Sequence, residues 1–123
     1  MKHSRTLITI GLTVAVVGIA IWALAGSFWT SGSVLPSHGT ANDTVFTWRV
    51  TYAKSPGQSA PTVCLARYRN GSAYGGAVMM AIDQQGDILV DYFYQDKLPA
   101  GTYSFEMWTD DDETEGNGPQ VSD

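Results

Sequence analysis

The sequence predicts a mainly-β fold: a small antiparallel β-sandwich or β-barrel, preceded by one N-terminal transmembrane helix. Three observations lead there. Residues 7–25 carry no charge. The segments after residue 43 alternate apolar and polar with period two, and turn residues punctuate them every eight to twelve positions or so. No helical period recurs beyond the N-terminal span, so the elements read as strands packed on strands.

Taken in order, Met1-Lys2-His3-Ser4-Arg5 is a short basic start, and Thr6 to Ala25 is an apolar stretch of twenty residues. At about 1.5 Å per residue, a helix of that length reaches roughly 30 Å, the thickness of a hydrocarbon core. Lys2 and Arg5 place the N-terminus in the cytoplasm and the rest of the chain outside. Trp22, Phe28 and Trp29 stand where interfacial aromatics are expected. A second reading stays open: Ala23-Leu24-Ala25 followed by Gly26 fits a signal-peptide cleavage site, which would free the chain into the medium. Both readings export the remainder. The expected organisation is a cytoplasmic start (1–5), a transmembrane or signal segment (6–26), a flexible Ser/Gly/Thr-rich linker (27–42), an extracytoplasmic β domain (43–109) and an acidic, disordered tail (110–123).

Within the β domain the clearest strand is Val45 to Ala53. Phe46, Trp48, Val50 and Tyr52 share one face, and Val45, Thr47, Arg49 and Thr51 share the other. Lys54 to Pro61 is a loop around Pro56-Gly57. Thr62–Tyr68 and Ala77–Ile82 read as two apolar strands, separated by a loop that starts at Asn70-Gly71. Asp83 to Gly86 reads as a hairpin turn. Asp87–Tyr94 puts Ile88, Val90, Tyr92 and Tyr94 on one face, and Thr102–Trp108 turns Tyr103, Phe105 and Met107 inward. A domain of roughly 70 residues has a marginal core, so most of its aromatics are expected to fill that core and not to form a binding platform. Phe93 is the exception. It lies on the face opposite Tyr92 and Tyr94 and is the candidate for partner contact.

The run Leu98-Pro-Ala-Gly-Thr-Tyr-Ser-Phe105 resembles the entry to a late strand of immunoglobulin-like or fibronectin-type domains. In that resemblance Tyr103 would be a corner tyrosine, two residues before the core position Phe105. It implies an immunoglobulin-like sandwich, although five clear strands are fewer than such a domain needs.

The chemistry-bearing residues are sparse. There are two histidines, His3 and His38, and one cysteine, Cys64, so an internal disulfide is excluded and no nucleophile–base pair is visible. Cys64 is expected to be a buried, inert thiol, with intermolecular pairing as the alternative. No catalytic residue and no cofactor is expected. Asn42-Asp-Thr44 and Asn70-Gly-Ser72 are glycosylation acceptor motifs in loops. Five of the six residues 110–115 are acidic. Asp110 and Asp112 are the residues a calcium ion would use there, but Thr114 breaks the EF-hand spacing, and a solvated tail is the expectation. Residues 27–123 carry 12 acidic and 5 basic side chains, a balance that disfavours nucleic acid and anionic lipid surfaces.

These features point to a non-enzymatic, single-pass membrane protein that presents its β domain outside the cell for contact with a protein partner or with itself. The alternatives are a secreted structural subunit released after Ala25 and assembling by strand exchange, and a small cell-envelope enzyme.

Overall fold

The computed structural model describes residues 28–30, 32–109 and 113–123 of the chain. The expected membrane span at 6–26 lies outside the described residues, as do Asp110 and Asp112. Among the described residues no helix is long and apolar enough to cross a membrane.

The described chain folds into ten strands in two sheets. They are β1 (Phe28–Trp29), β2 (Ser33–Leu35), β3 (His38–Thr40), β4 (Phe46–Ala53), β5 (Cys64–Arg69), β6 (Ser72–Met79), β7 (Ala81–Gln85), β8 (Leu89–Asp96), β9 (Gly101–Trp108) and β10 (Glu113–Ser122). One sheet runs β1-β4-β8-β7, with β2 following β1 along the same edge of β4. The other runs β3-β10-β9-β5-β6. The mainly-β class holds, and of the two expected forms the molecule takes the sandwich. It is not wholly antiparallel, because β3 lies parallel to β10.

The core between the sheets is the one the alternation marked out. Phe46, Trp48, Val50 and Tyr52 of β4 face Leu65 of β5 and Tyr103, Phe105 and Met107 of β9 across the interior. Trp48 is fully enclosed, as an aromatic at the centre of a core-facing strand should be. The expected corner is also formed: Tyr103 donates its hydroxyl hydrogen to Pro99 O at 2.8 Å. That bond ties the β8–β9 connection to the body of the second sheet.

Four expectations need correction. Residues 27–42 are not a linker: they supply β1, β2 and β3, and Trp29 lies wholly inside the core, edge-on to Tyr52 at 5.0 Å, instead of at a membrane interface. Residues 113–122 of the acidic tail form β10, which pairs along β9 and, at Gln120 to Ser122, also with β3. Residues 72–76 are strand and not loop, because Asn70 and Gly71 both take positive φ (51° and 88°) and close a tight β5–β6 hairpin. Asp83 to Gln85 belong to β7, with the chain reversing after them at Gly86, whose N–H donates to Leu89 O.

The sandwich has two distinct ends. Phe28 pairs with Ala53, so the chain enters beside the 54–63 loop, where Cys64 pairs with Trp108 and Glu113 also pairs with Trp108. The opposite end holds the 97–100 connection, the Asn70-Gly71 turn and the C-terminal end of β10, where Ala41 N–H donates to Ser122 O.

Candidate interaction edge

One continuous segment, Ser72 to Gln85, forms an outer edge of both sheets. β6 pairs with β5 alone and β7 with β8 alone, so among the described residues each has an unpaired outer side. The segment changes sheets at Met80, whose side chain is buried and whose N–H donates to Val63 O at 2.8 Å. The apolar run Ala77 to Ile82 is therefore two strand ends and a crossing, which explains why it looked continuous in the sequence.

Local chemistry shapes this edge. β6 bulges at Gly75-Gly76-Ala77, where the register against β5 shifts between Leu65 and Arg67. β7 bulges at Asp83, whose carboxylate accepts from Arg49 Nη1 at 2.9 Å. From Gly71 to Ile82 there is no charged residue and no proline. Met79 is 71% exposed and Ile82 44%. Tyr74, Val78 and Tyr94 face the interior here and are only partly covered.

Behind the edge sits Arg67, which lies on the inner face of β5 and is almost fully buried. Its guanidinium stands 5.2 Å from the Tyr94 ring, 5.3 Å from Tyr74 and 5.6 Å from Trp48, and Nη1 donates to Asp96 Oδ2 at 2.5 Å. Cation–π attraction and one charge-assisted hydrogen bond offset the loss of water from the cation. The Arg67–Asp96 pair joins β5 to β8, and so one sheet to the other, at the end where β7 no longer flanks β8. Arg67 Nε and Trp48 Nε1 are both enclosed without a hydrogen-bond partner. Two donors of that kind in one cluster are a natural place for an internal water.

Phe93, the expected contact residue, is half-buried on the outer face of its sheet. It pairs with Arg49 on one side and Ala81 on the other, and the Arg49 guanidinium lies 5.7 Å from its ring. It therefore borders β7, and Arg49 covers part of the ring. Cys64 opens β5 and is half-buried, more accessible than the enclosed thiol expected. Asn42 and Asn70 are both exposed, in turns at the end away from Phe28. His38 lies on β3 with its Nδ1 3.0 Å from Ser37 Oγ. Among the described residues no three His, Cys, Asp or Glu side chains gather to hold a metal. Burial holds the Tyr92 hydroxyl, which donates to Pro61 O at 2.6 Å, up to a pKa of about 12, and the nearby Tyr52 adds to the effect.

Lack of charge alone did not single out this edge, because residues 6–42 and 55–66 are also uncharged. Arg67 was the residue least visible in advance, since an arginine at a strand end normally reaches solvent.

No protein-family model matches the chain, and no curated protein of similar sequence is found. Among solved structures, a CARDB domain from a Pyrococcus furiosus protein, in complex with di-metal ions, is similar at 13% identity and a TM-score of 0.47. The similarity covers 79% of this chain and 90% of that one.

Proposed function

We propose that this chain is a non-enzymatic contact module, held at the outer face of a membrane by residues 6–26, that engages a protein partner along the β6–β7 edge. The observation that carries the reading is the unpaired edge itself, uncharged along β6 and as far as Ile82 in β7. Natural sheets protect their edges with lysine, proline or inward charges, because open N–H and C=O groups recruit further strands. Here β6 has only the Gly75–Ala77 bulge, flanked by exposed Met79 and partly covered Val78. A partner strand added to β6 or β7 would satisfy those backbone groups, while Ile82, Val78 and Tyr74 offered side-chain contacts.

The test places a photo-crosslinking amino acid at Ala77 in the full chain, in its own cells, with a second probe at Gln95 on the outer face. A defined adduct from position 77, absent from 95 and abolished by Ile82→Lys, supports the edge. Equal labelling from both positions, or an adduct indifferent to Ile82→Lys, would remove it.

A further inference from the structure

We infer that Asn42 is the acceptor of an N-linked oligosaccharide and that Asn70, in the second acceptor motif, is a turn residue that stays unmodified; this rests on the export reading above. Both motifs satisfy the acceptor pattern, Asn42-Asp-Thr44 with threonine and Asn70-Gly-Ser72 with serine at the third position. The fold separates them.

Asn70 is committed. It is the first residue of the tight β5–β6 hairpin, at φ 51°, and its side-chain Oδ1 accepts the N–H of Thr102 on β9 at 2.9 Å. Its own N–H donates to Thr102 O at 2.7 Å, so main chain and side chain together lock it to the neighbouring strand. Presenting this amide to a transferase means breaking its side-chain bond to Thr102.

Asn42 stands in the turn between β3 and β4, also with positive φ, and is exposed. Its backbone N–H donates to Leu98 O, which fixes the turn, while its side-chain amide makes no hydrogen bond with the described residues. The third residue of its motif is held close by: Thr44 Oγ1 accepts the N–H of Thr40 at 2.8 Å, and so serves as an acceptor with its own hydrogen uncommitted. The turn lies at the end of the sandwich remote from Phe28, where a chain held by residues 6–26 is farthest from the membrane. A sugar at Asn42 would also leave the β6–β7 edge uncovered.

Transfer joins Asn42 Nδ2 to the anomeric carbon of a lipid-phosphate-linked oligosaccharide. The new C–N bond forms as the anomeric C–O bond breaks, the lipid phosphate leaves with the bonding pair, and the amide gives up one proton.

The test is intact mass and glycopeptide mapping of the full chain from its own cells, with protease accessibility of residues 43–123 measured on the same cells. One glycan is expected, on the peptide containing Asn42. It should be lost in Asn42→Gln and kept in Asn70→Gln. A glycan at Asn70, or an unmodified chain whose β domain the external protease reaches, overturns the inference. If the protease does not reach that domain and the chain is also absent from the medium, the export reading has failed, and a second assay decides the site. The purified folded chain is then incubated with an oligosaccharyltransferase and its lipid-linked donor. Transfer to Asn42 alone upholds the assignment; transfer to Asn70, or none, ends it.

Discussion

The Phe105 ring lies directly over Gly116. The two residues pair across β9 and β10, and a Cβ built on Gly116 would stand 2.5 Å from Phe105 Cζ. The strand gives up its own side chain so that the neighbour's aromatic can cover its backbone. Any side chain at 116 must displace a ring from the core. Gly116→Ala is therefore expected to cost about 1–3 kcal/mol in urea denaturation, and Gly116→Val more, by overpacking. Deleting residues 113–123 removes the strand that covers β9 and links it to β3, and should abolish cooperative unfolding. A truncated domain that keeps its midpoint would return these residues to the role of a solvated tail.

That relationship also explains what the sequence could and could not reveal. The strands with side chains on a two-residue period were legible: Phe46, Trp48, Val50 and Tyr52 all face the core, as do Tyr103, Phe105 and Met107. β10 reads Glu-Thr-Glu-Gly-Asn-Gly-Pro-Gln-Val-Ser, and its buried positions are Thr114, Pro119 and Val121, with Gly116 and Gly118 lying against Phe105 and Tyr103. Phe105 and Tyr103 of the neighbouring strand cover its two glycines, and only Pro119 and Val121 are apolar, too few to set a two-residue period. β1, β2 and β3 are two or three residues each, with about one inward residue apiece, too few to establish a period. The candidate edge was half legible. Its lack of charge is plain in the sequence, but only the pairing shows that one segment edges both sheets.

Arg67 and Asp96 are unequal partners, and their variants should differ. The Arg67 side chain is 5% exposed, while that of Asp96 is 35% exposed. Asp96→Ala leaves a buried cation with aromatic faces as its remaining support. Breaking a fully buried pair costs about 3–5 kcal/mol, and the partial exposure of Asp96 reduces the expectation to about 2 kcal/mol. Arg67→Met removes the cation and fills the same space among Trp48, Tyr74 and Tyr94, so its cost should be the smaller. Urea midpoints for the two variants decide the matter. A larger loss from Arg67→Met would mean that the cation's aromatic contacts outweigh its desolvation.

Tyr103 tests the corner. Its ring packs edge-on against Tyr74 at 5.6 Å, and its hydroxyl bridges back to Pro99 O. Tyr103→Phe keeps the ring and drops only the bond, so the expected loss is about 1 kcal/mol. Hydrogen exchange should quicken at the amides of the 97–102 connection and stay unchanged in β4. Uniform quickening across both sheets would show that the bond supports the whole fold and not the corner.

Tyr92 gives the domain an alkaline limit. Burial raises its folded pKa to about 12, against 10.0 for an open tyrosine. Below pH 10 both states hold the proton, and the full contribution of the buried phenol is present. Between pH 10 and about 12 the unfolded chain releases its proton while the folded chain keeps it, so stability falls as pH rises through that window. Tyr103, also raised by burial, adds to the same slope. Tyr92→Phe removes one of the two contributions together with the bond to Pro61 O, and should cost about 1 kcal/mol at pH 8. From pH 10 upward the wild-type midpoint should fall faster than that of the variant, and the gap between them should close. A gap that stays constant from pH 8 to pH 11.5 would mean that the Tyr92 hydroxyl titrates alike in both states, and the enclosed bond to Pro61 would then not survive in solution.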